Sequence, residues 1–363
     1  MKSKGSTNKA MENAKTGTFA NPIHHCTKKN DGTDYTDFSY IYFGSYPQSE
    51  ITDSVTIAAI DNAIATSGIA ADAGMDVWVN GVKYRRISKN DTNYDGWFDD
   101  VPNNGYRYFK WERMKWKVLN NDGNTLFVVA DRAIDCKEYN EEYKSITWEN
   151  SAIRDWLNNS FYNTAFSSNE QSAVAAQNIV NEDNLSWGTE GGNHTSDDIY
   201  LLSISEVTNE TYGFCSKYRT DSMSRKMKAS DYANARGTWR GSRSDYEGNC
   251  SWWLRSPGRY SHIAAEVGRN GYVNRSGSDV RSSAVGICPA LHINLSSDIW
   301  LTEDDGTSGK GGNGAKASKG ELPNASVHPT PSPPSQNIPT PPPHPRHLPK
   351  LCMFTNSFKY RII

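Results

Sequence analysis

The chain has 363 residues, a formal net charge of −2 and a mean hydropathy of −0.72. A nearly neutral chain creates no global field that draws it to nucleic acid or to membrane surfaces, so no nucleic-acid partner is expected. No apolar run approaches the roughly 20 residues of a membrane span, and no span is expected. The first residues lack the apolar core of a secretory signal peptide.

Composition divides the chain into three parts. Residues 1–36 are polar and aperiodic, which predicts a disordered N-terminal segment. Residues 37–300 are long enough to form a single domain with a substantial core. Residues 301–363 predict a disordered tail, first Gly/Ser-rich and then Pro-rich. Eleven of the sixteen prolines lie between Pro323 and Pro349.

The first half of the predicted domain contains hairpin signals and one helix. Residues 39–47 predict a strand, and residues 55–67 carry apolar residues at helical spacing. Asn80–Gly81 predicts a tight hairpin turn. A second hairpin is predicted where residues 120–124 join two apolar, aromatic-rich strands.

The second half mixes short helices and strands. A helix is predicted to begin after Thr147 and to end at residues 158–160, with another beginning at Ser167 or Ser168. Residues 199–207 predict a buried strand running into a helix capped by Ser205. Residues 231–237 predict a short helix that Gly237 ends. Together these elements indicate an α+β fold.

The stretch from Trp252 to Leu295 is the most informative part of the sequence. It begins with WWLRSPG, ends with an apolar run, and contains about two dozen residues rich in Arg, Ser, Asn, Gly and Tyr between them. Loops held on rigid elements commonly carry recognition. Nothing in the stretch is typical of a reaction centre, so a binding function is predicted.

Several segments resemble, in order, a bacterial domain family of unknown function. They are YIYFGSYPQSE, YRYFKWERMKWKVL, ITWENSAIRDWLNNSFYNTAF, SDYANARG, WWLRSPG and GICPALHINL, and the resemblance covers roughly residues 38–296. It implies a single C-type-lectin-like domain, related to formylglycine-generating enzymes, with short antiparallel strands, a few helices and long loops. It also implies a bacterial or phage setting and a cell-surface or secreted location.

The predicted ligand-binding surface comprises the polar and aromatic residues of two loops, with one of the two adjacent indoles. These are Trp239, Arg240, Arg243, Asp245, Trp252, Arg259, Tyr260, His262, Arg269, Asn270, Tyr272, Asn274, Arg275, Ser278 and Arg281. The expected partner is a protein or a glycan at a cell or phage surface. Arg255, close to the Pro-Gly turn, is instead predicted to be a scaffold residue that pairs with a buried carboxylate or carbonyl.

Residues 229–309 contain eight Arg and no Lys, Gln or Met. One explanation is that Arg packs and pairs better than Lys on a tight surface. The other follows from the resemblance, because some lectin-fold proteins similar to this one are diversified by retroelements that randomise adenines. The codons so produced encode Arg, Tyr, Asn, Ser and His but never Lys, Gln or Met. Both hypotheses stay open.

No cofactor and no metal site are predicted. His24, His25, His194, His262 and His292 form no paired-ligand pattern, and no two cysteines lie in a CxxC motif. The four central cysteines are interpreted as buried thiols, although Cys250 and Cys288 are the best pair for a bridge. Residues 91–96 begin like a calcium loop but lack its final Glu, so an Asx-rich turn is favoured.

Two other function classes are kept as alternatives to the non-catalytic binder. One is an enzyme related to the formylglycine-generating group, which would act through Cys250 or Cys288. The other is a structural module of an envelope or phage particle, with the Pro-rich tail as its spacer. The first predicts an accessible, reactive thiol; the second predicts self-association without a separable ligand.

Overall fold

The computed structural model describes residues 19–26, 34–67, 75–92, 105–241 and 246–297. Strands and short helices alternate through these ranges, which gives the α+β class predicted from the sequence. The strands are β1 Ile23–His25, β2 Tyr35–Asp37, β3 Tyr40–Glu50, β4 Met75–Val79, β5 Val82–Ser88, β6 Tyr106–Asn121, β7 Thr125–Ala130, β8 Arg132–Ala133, β9 Asp135–Cys136, β10 Gln177–Ile179, β11 Thr195–Asp197, β12 Ile199–Tyr200, β13 Met227–Ala229, β14 Asn249–Cys250, β15 Trp252–Pro257, β16 Ile263–Val267, β17 Val273–Asp279, β18 Gly286–Ile287 and β19 Ala290–Asn294. The α-helices are α1 Ser54–Thr66, α2 Ala152–Trp156, α3 Tyr162–Ala165, α4 Ser168–Gln171 and α5 Asp231–Arg236.

The largest sheet has the order β12-β19-β7-β6-β5-β4, and β3 also pairs with β6. Both predicted hairpins lie in it. At the first, Asn80 and Gly81 adopt left-handed backbone with φ of +50° and +79°. At the second, the Asp122 carboxylate accepts hydrogen bonds from the backbone N–H groups of Asn124 and Thr125. Local turn chemistry therefore fixes the register of these strands.

The second sheet has the order β17-β16-β15-β18-β9, and its central strand β15 holds the two adjacent indoles. Every residue of β15 is buried, and both Trp252 and Trp253 are 0% exposed. The Trp252 indole donates to the carbonyl of Arg225, and the Trp253 indole donates to that of Lys137. A strand buried on both faces has no outward side, so alternation along it does not expose either indole.

The helical region after Thr147 differs from its prediction. Residues 148–150 form a 3₁₀ turn, and α2 begins only after Ser151, whose hydroxyl accepts from the Arg154 backbone N–H. The chain does not end its helix at 158–160 but continues through a π-helical turn into α3. The predicted helix after Ser167 is confirmed, with a capping box between Ser167 and Glu170.

Other local predictions have mixed outcomes. The helices predicted at 55–67 and 231–237 are confirmed as α1 and α5. Residues 199–207 contain a two-residue strand and a 3₁₀ turn, and Ser205 makes no capping hydrogen bond through its side chain. The expectation of disorder is wrong for part of residues 1–36, because Ile23–His25 pairs with Tyr35–Asp37. Phe19 is 2% exposed against the main core, which gives this segment an apolar anchor.

The main core is rich in aromatic side chains whose polar atoms are satisfied. The Trp116 indole donates to the carbonyl of Phe43 at 2.7 Å, and that of Trp148 donates to the Asp197 carboxylate at 2.8 Å. The latter carboxylate also pairs with Arg154. Burying such groups without partners would cost free energy, so these bonds fix where each ring lies.

The predicted scaffold role of Arg255 is confirmed. Its guanidinium holds the Glu206 carboxylate through two contacts, of 2.5 and 3.1 Å, and also donates to the carbonyl of Leu201. Cys136, Cys215, Cys250 and Cys288 are buried thiols, as predicted. Among the described helices none is long and apolar enough to cross a membrane.

Candidate functional site

The predicted surface is built on the hairpin formed by β16 and the edge strand β17. Their antiparallel pairing places Ile263 opposite Asp279 and Val267 opposite Val273. Gly277 has a φ of +78°, and a Cβ there would lie 2.2 Å from the carbonyl oxygen of Ala264. Glycine is therefore required at this irregular point of the ladder.

The hairpin separates the predicted residues into two groups. β16 has five residues and spans about 17 Å at a rise of about 3.3 Å per residue. Tyr260 precedes β16 and Arg269 follows it, so they lie at opposite ends of the hairpin. A small molecule cannot contact both ends at once, whereas a macromolecular surface can.

The first group, here named the indole end, consists of Trp239, Tyr246, Asn249 and Arg269. The Arg269 guanidinium lies 3.3 Å from the centroid of the Trp239 ring and 5.7 Å from that of Tyr246. The side chain of Asn249 donates to the Arg269 carbonyl. Trp239 nevertheless stays 46% exposed, so a stacked cation–aromatic pair is presented to solvent.

A basic cleft of about 390 Å³ adjoins the indole end and shares Tyr246 and Asn249 with it. Its other walls include Arg132, Lys226 and Lys228. Lys228 and Arg132 are register partners in the parallel pairing of β13 with β8, which brings their positive charges together. Sequence reasoning missed these cations because their proximity results from that long-range pairing.

The second group, the tyrosine end, consists of Tyr143, Arg259, Tyr260, His262 and Arg281. His262 lies between the two tyrosine rings, with centroid distances of 4.7 Å to Tyr143 and 5.7 Å to Tyr260. Arg281 lies 4.5 Å from the Tyr143 centroid and Arg259 lies 5.2 Å from that of Tyr260. Tyr143 and Tyr260 are 53% and 49% exposed, so both rings are presented to solvent.

A wider cleft of about 720 Å³ lies beside the tyrosine end. It is lined by residues 144–147, 149–150 and 188–190 and by Ser261. The hydroxyls of Ser145 and Ser261 are 2.7 Å apart, and Thr189 donates to the Arg259 carbonyl. The hairpin is thereby tied to two loops from elsewhere in the chain. Tyr143 belongs to one of them, and no sequence signal in the hairpin could have identified it.

The middle of the hairpin has an internal role. Asn274 and Ser278 hydrogen-bond to the carboxyl group of Glu266, which is 9% exposed. Burial raises the pKa of Glu266, although these hydrogen bonds and Arg269 oppose the shift. Arg275 lies over the ring of Tyr218 at 4.3 Å. These side chains hold the two strands and the underlying loop together.

Several other predicted residues do not present a free surface. Trp252 is a core residue, which corrects its assignment to the ligand surface. Arg240 donates to the Ser230 carbonyl and to the Asp231 carboxylate, so it holds the beginning of α5. The Asn270 side chain donates to the Asp221 carboxylate and accepts from the backbone N–H of Tyr272. Tyr272 is half-buried. Arg243 and Asp245 lie outside the described residues.

The cysteines are poorly placed for nucleophilic chemistry. Burial raises the pKa of Cys250 to about 12 and raises that of Cys288 well above its ordinary value. Neither thiol lines either of the clefts beside the hairpin. Of the calcium-like loop, Asp91 accepts from the backbone and hydroxyl of Ser88, while its later positions at 93–96 lie outside the described residues.

The comparisons with known proteins give a domain but no function. No curated protein and no solved structure matches the chain. A family model matches residues 122–295, which contain both strands of the hairpin and every residue of both ends. The matching model is that of a domain family of unknown function (DUF6273).

Proposed function

We propose that this protein is a non-catalytic, receptor-like binder whose ligand is a protein surface bearing carboxylates. The observation that carries the proposal is the stacking of Arg269 on the exposed ring of Trp239, repeated by Arg281 on Tyr143 at the other end of the hairpin. A guanidinium already held against a ring loses less freedom on binding, and the edge of Arg269 can pair with a carboxylate. The edge of Arg281 already holds the Asp279 carboxylate at 3.3 Å, which a ligand carboxylate would have to replace.

The spacing of the two ends favours a protein as the ligand. A specific protein interface buries about 800 Å² on each partner, which is sufficient to cover two patches about 17 Å apart. Trp, Tyr and Arg are also the residue types in which protein-interface energy is concentrated. Because a cation covers one face of each of these rings, fewer ring faces stay free to stack on a sugar.

We further propose that the fold is C-type-lectin-like and that its hairpin loops are diversified by a retroelement. Support comes from an edge hairpin that carries the Arg, Tyr, Asn and His residues, beside a central strand that is wholly buried. The coding DNA for residues 239–287 tests the diversification. Codons reachable from AAC at Arg259, Tyr260 and Arg269, with a nearby adenine-bearing copy, would support it. Ordinary codons without such a copy would indicate a fixed surface.

The binding proposal is tested by photo-cross-linking in the cells that make the protein. A photo-reactive residue at exposed Glu247, beside the indole end, and another at Ser261, beside the tyrosine end, should capture the same partner protein. The same residue at Trp78, which is 65% exposed on β4, is the control and should not capture it. Capture of glycans, or of unrelated proteins at the two ends, would contradict the proposal.

Affinity measurements with the captured partner complete the test. Trp239→Ala combined with Arg269→Ala should weaken binding at least ~10-fold, since hot-spot residues each contribute more than about 1 kcal/mol. Tyr260→Ala combined with Arg281→Ala should do the same. Trp78→Ala should leave the affinity unchanged, and circular dichroism should show that all variants are folded. An equal loss in the Trp78 variant would overturn the assignment.

A further inference from the structure

One side-chain cluster outside the hairpin ends combines an imidazole, a carboxylate and a thiol. One ligand atom of His24, one carboxylate oxygen of Asp34 and the Cys215 Sγ atom all lie within 4.8 Å of one another. His24 Nε2 is 3.8 Å from Asp34 Oδ2. The three residues come from β1, from the residue before β2, and from the loop after Tyr212, so only the fold brings them together.

The imidazole is held with its free nitrogen directed into the cluster. Thr36 Oγ1 donates its proton to the Gly213 carbonyl at 2.6 Å, so it can only accept from His24 Nδ1, which lies 2.9 Å away. This arrangement places the proton on Nδ1 and leaves a lone pair on Nε2. The His24 side chain is 2% exposed, and Nε2 has no hydrogen-bond partner among the residues that the structure describes. A buried acceptor without a partner costs free energy.

The carboxylate is oriented in the same way. Asp34 Oδ1 accepts from the backbone N–H of Met223 at 2.7 Å, and Oδ2 accepts from the Ser222 hydroxyl at 2.5 Å. Hydrogen bonds that fix the tautomer of a histidine and the rotation of a carboxylate are the usual outer-shell support of a metal ligand. With these hydrogen bonds in place, the imidazole and the carboxylate each keep a lone pair that a cation can accept.

We propose that His24 Nε2, Asp34 Oδ2 and Cys215 Sγ bind one divalent transition-metal ion, with Zn²⁺ as the best match. A set of one nitrogen, one oxygen and one sulfur suits this borderline-soft ion, which also accepts a fourth ligand from solvent. Zinc bond lengths of about 2.0–2.3 Å at tetrahedral angles place ligand atoms about 3.3–3.6 Å apart. The His24–Asp34 separation of 3.8 Å is close to this range, and the distances to Cys215 Sγ, which are at most 4.8 Å, would have to shorten toward it as the ion binds.

Arg225 is a neighbouring cation that a metal must tolerate. Its guanidinium is fully buried and donates to the carbonyls of Cys215, Lys217 and Gly271, and it also makes a side-chain hydrogen bond with Cys215 that a metal ion would have to replace. Burial lowers the pKa of Arg225, and the nearby charges of Cys215 and Asp34 oppose that shift. A thiolate at Cys215 would partly compensate this buried charge.

The site would join the N-terminal strands to the loop beneath the hairpin. In that loop Ser222 donates its backbone N–H to the Asn270 carbonyl, and Tyr218 accepts from the backbone of Val273. A bound ion would thus fix residues 215–225 and, through them, the turn between β16 and β17. The metal assignment itself is independent of the proposed ligand-binding function.

The experiment is a Co²⁺ titration of the full chain after removal of metals with a chelator under reducing conditions. One equivalent of Co²⁺ should produce a thiolate-to-cobalt charge-transfer band and the intense d–d bands of a tetrahedral ion, and Zn²⁺ should displace it. Cys215→Ser should abolish the charge-transfer band. Cys26→Ser, which removes an exposed thiol, and Cys352→Ser are the matched controls and should retain it.

A second pair of variants tests the other ligands. His24→Ala should weaken Zn²⁺ binding by more than the roughly 10–100-fold that loss of an outer-shell partner causes. His25→Ala should not weaken it, although His25 is adjacent and pairs with Asp37. A band that survives in the Cys215 variant, or the absence of a band in the native chain, overturns the proposal.

If the Cys215 or His24 variants fail to fold, X-ray absorption of the zinc-loaded native chain identifies the ligand atoms around the zinc and tests the proposal directly. One sulfur at about 2.3 Å together with nitrogen and oxygen at about 2.0–2.2 Å supports the site. A shell of nitrogen and oxygen alone overturns it.

Discussion

The ion pair between Arg255 and Glu206 offers a quantitative test of how β15 is anchored. The side chain of Arg255 is 5% exposed and that of Glu206 is 20% exposed. Beyond the two contacts between them, Arg255 donates to the carbonyl of Leu201 at 2.8 Å, and Glu206 accepts from the backbone of Ser203 at 2.8 Å. Each group therefore has further partners that persist when the other is replaced.

Glu206→Gln should destabilise the domain by about 3–5 kcal/mol, because it leaves a nearly buried guanidinium without its counter-charge. Arg255→Met should cost less, about 2 kcal/mol, since the partly exposed Glu206 can be hydrated while one carbonyl loses its donor. In the double variant no unpaired charge is left. The double variant should therefore be more stable than the sum of the single effects predicts, by at least ~1.5 kcal/mol.

The assay is equilibrium unfolding in urea, followed by circular dichroism and tryptophan fluorescence, for the native chain and the three variants. Coincident transitions would establish that the free energies of unfolding are comparable. The exposed pair Lys144–Glu142, at 2.8 Å, is the control and should show additive effects. Additivity within error at Arg255 and Glu206 would refute the account of a buried, mutually dependent pair.

Three further predictions concern single positions. Burial lowers the pKa of His292 from 6.5 to about 4. Between these pH values the unfolded state binds the proton more readily than the folded state does. The free energy of unfolding should therefore fall by about 3 kcal/mol as the pH drops from 6.5 to 4. His292→Phe, beside the stacked ring of Phe127, should remove that part of the pH dependence, and identical urea midpoints against pH for both proteins would contradict the assignment. Gly271→Ala should destabilise by at least ~2 kcal/mol in thermal unfolding, because a Cβ at φ +82° would lie 2.1 Å from the Ser222 carbonyl oxygen; a native melting temperature would refute this. Ser230→Ala should cost about 1 kcal/mol, since its hydroxyl caps α5, and an unchanged urea midpoint would show that the cap is dispensable.

The elements that the sequence predicted well are those specified by neighbouring residues. The Asn80–Gly81 turn, the hairpin at 120–124 and helix α1 each depend on spacing and turn chemistry within a few residues. The helix predicted to begin at Ser167 or Ser168 is held by a capping box between Ser167 and Glu170, three residues apart. Such signals are local, so they act before any long-range contact forms.

Predictions failed where burial on a second face or a distant partner decides the outcome. The exposure of Trp252 depends on whether the far side of β15 is covered, which alternation along the strand does not report. The order of Ile23–His25 depends on its pairing with Tyr35–Asp37. The continuation of the helix after residue 160 depends on packing that overrides its polar residues.

The candidate sites follow the same division. The sequence by itself determined the α+β class, the scaffold role of Arg255 and the concentration of Arg and Tyr around the hairpin, because these follow from composition and short-range pattern. Only the tertiary structure decided that the surface has two ends and that Lys228 lies beside Arg132. It also decided that the ligand atoms of His24, Asp34 and Cys215 lie within 4.8 Å of one another. Short-range motifs detect ligands carried on one element, whereas these groups meet through strand pairing and loop packing between distant parts of the chain.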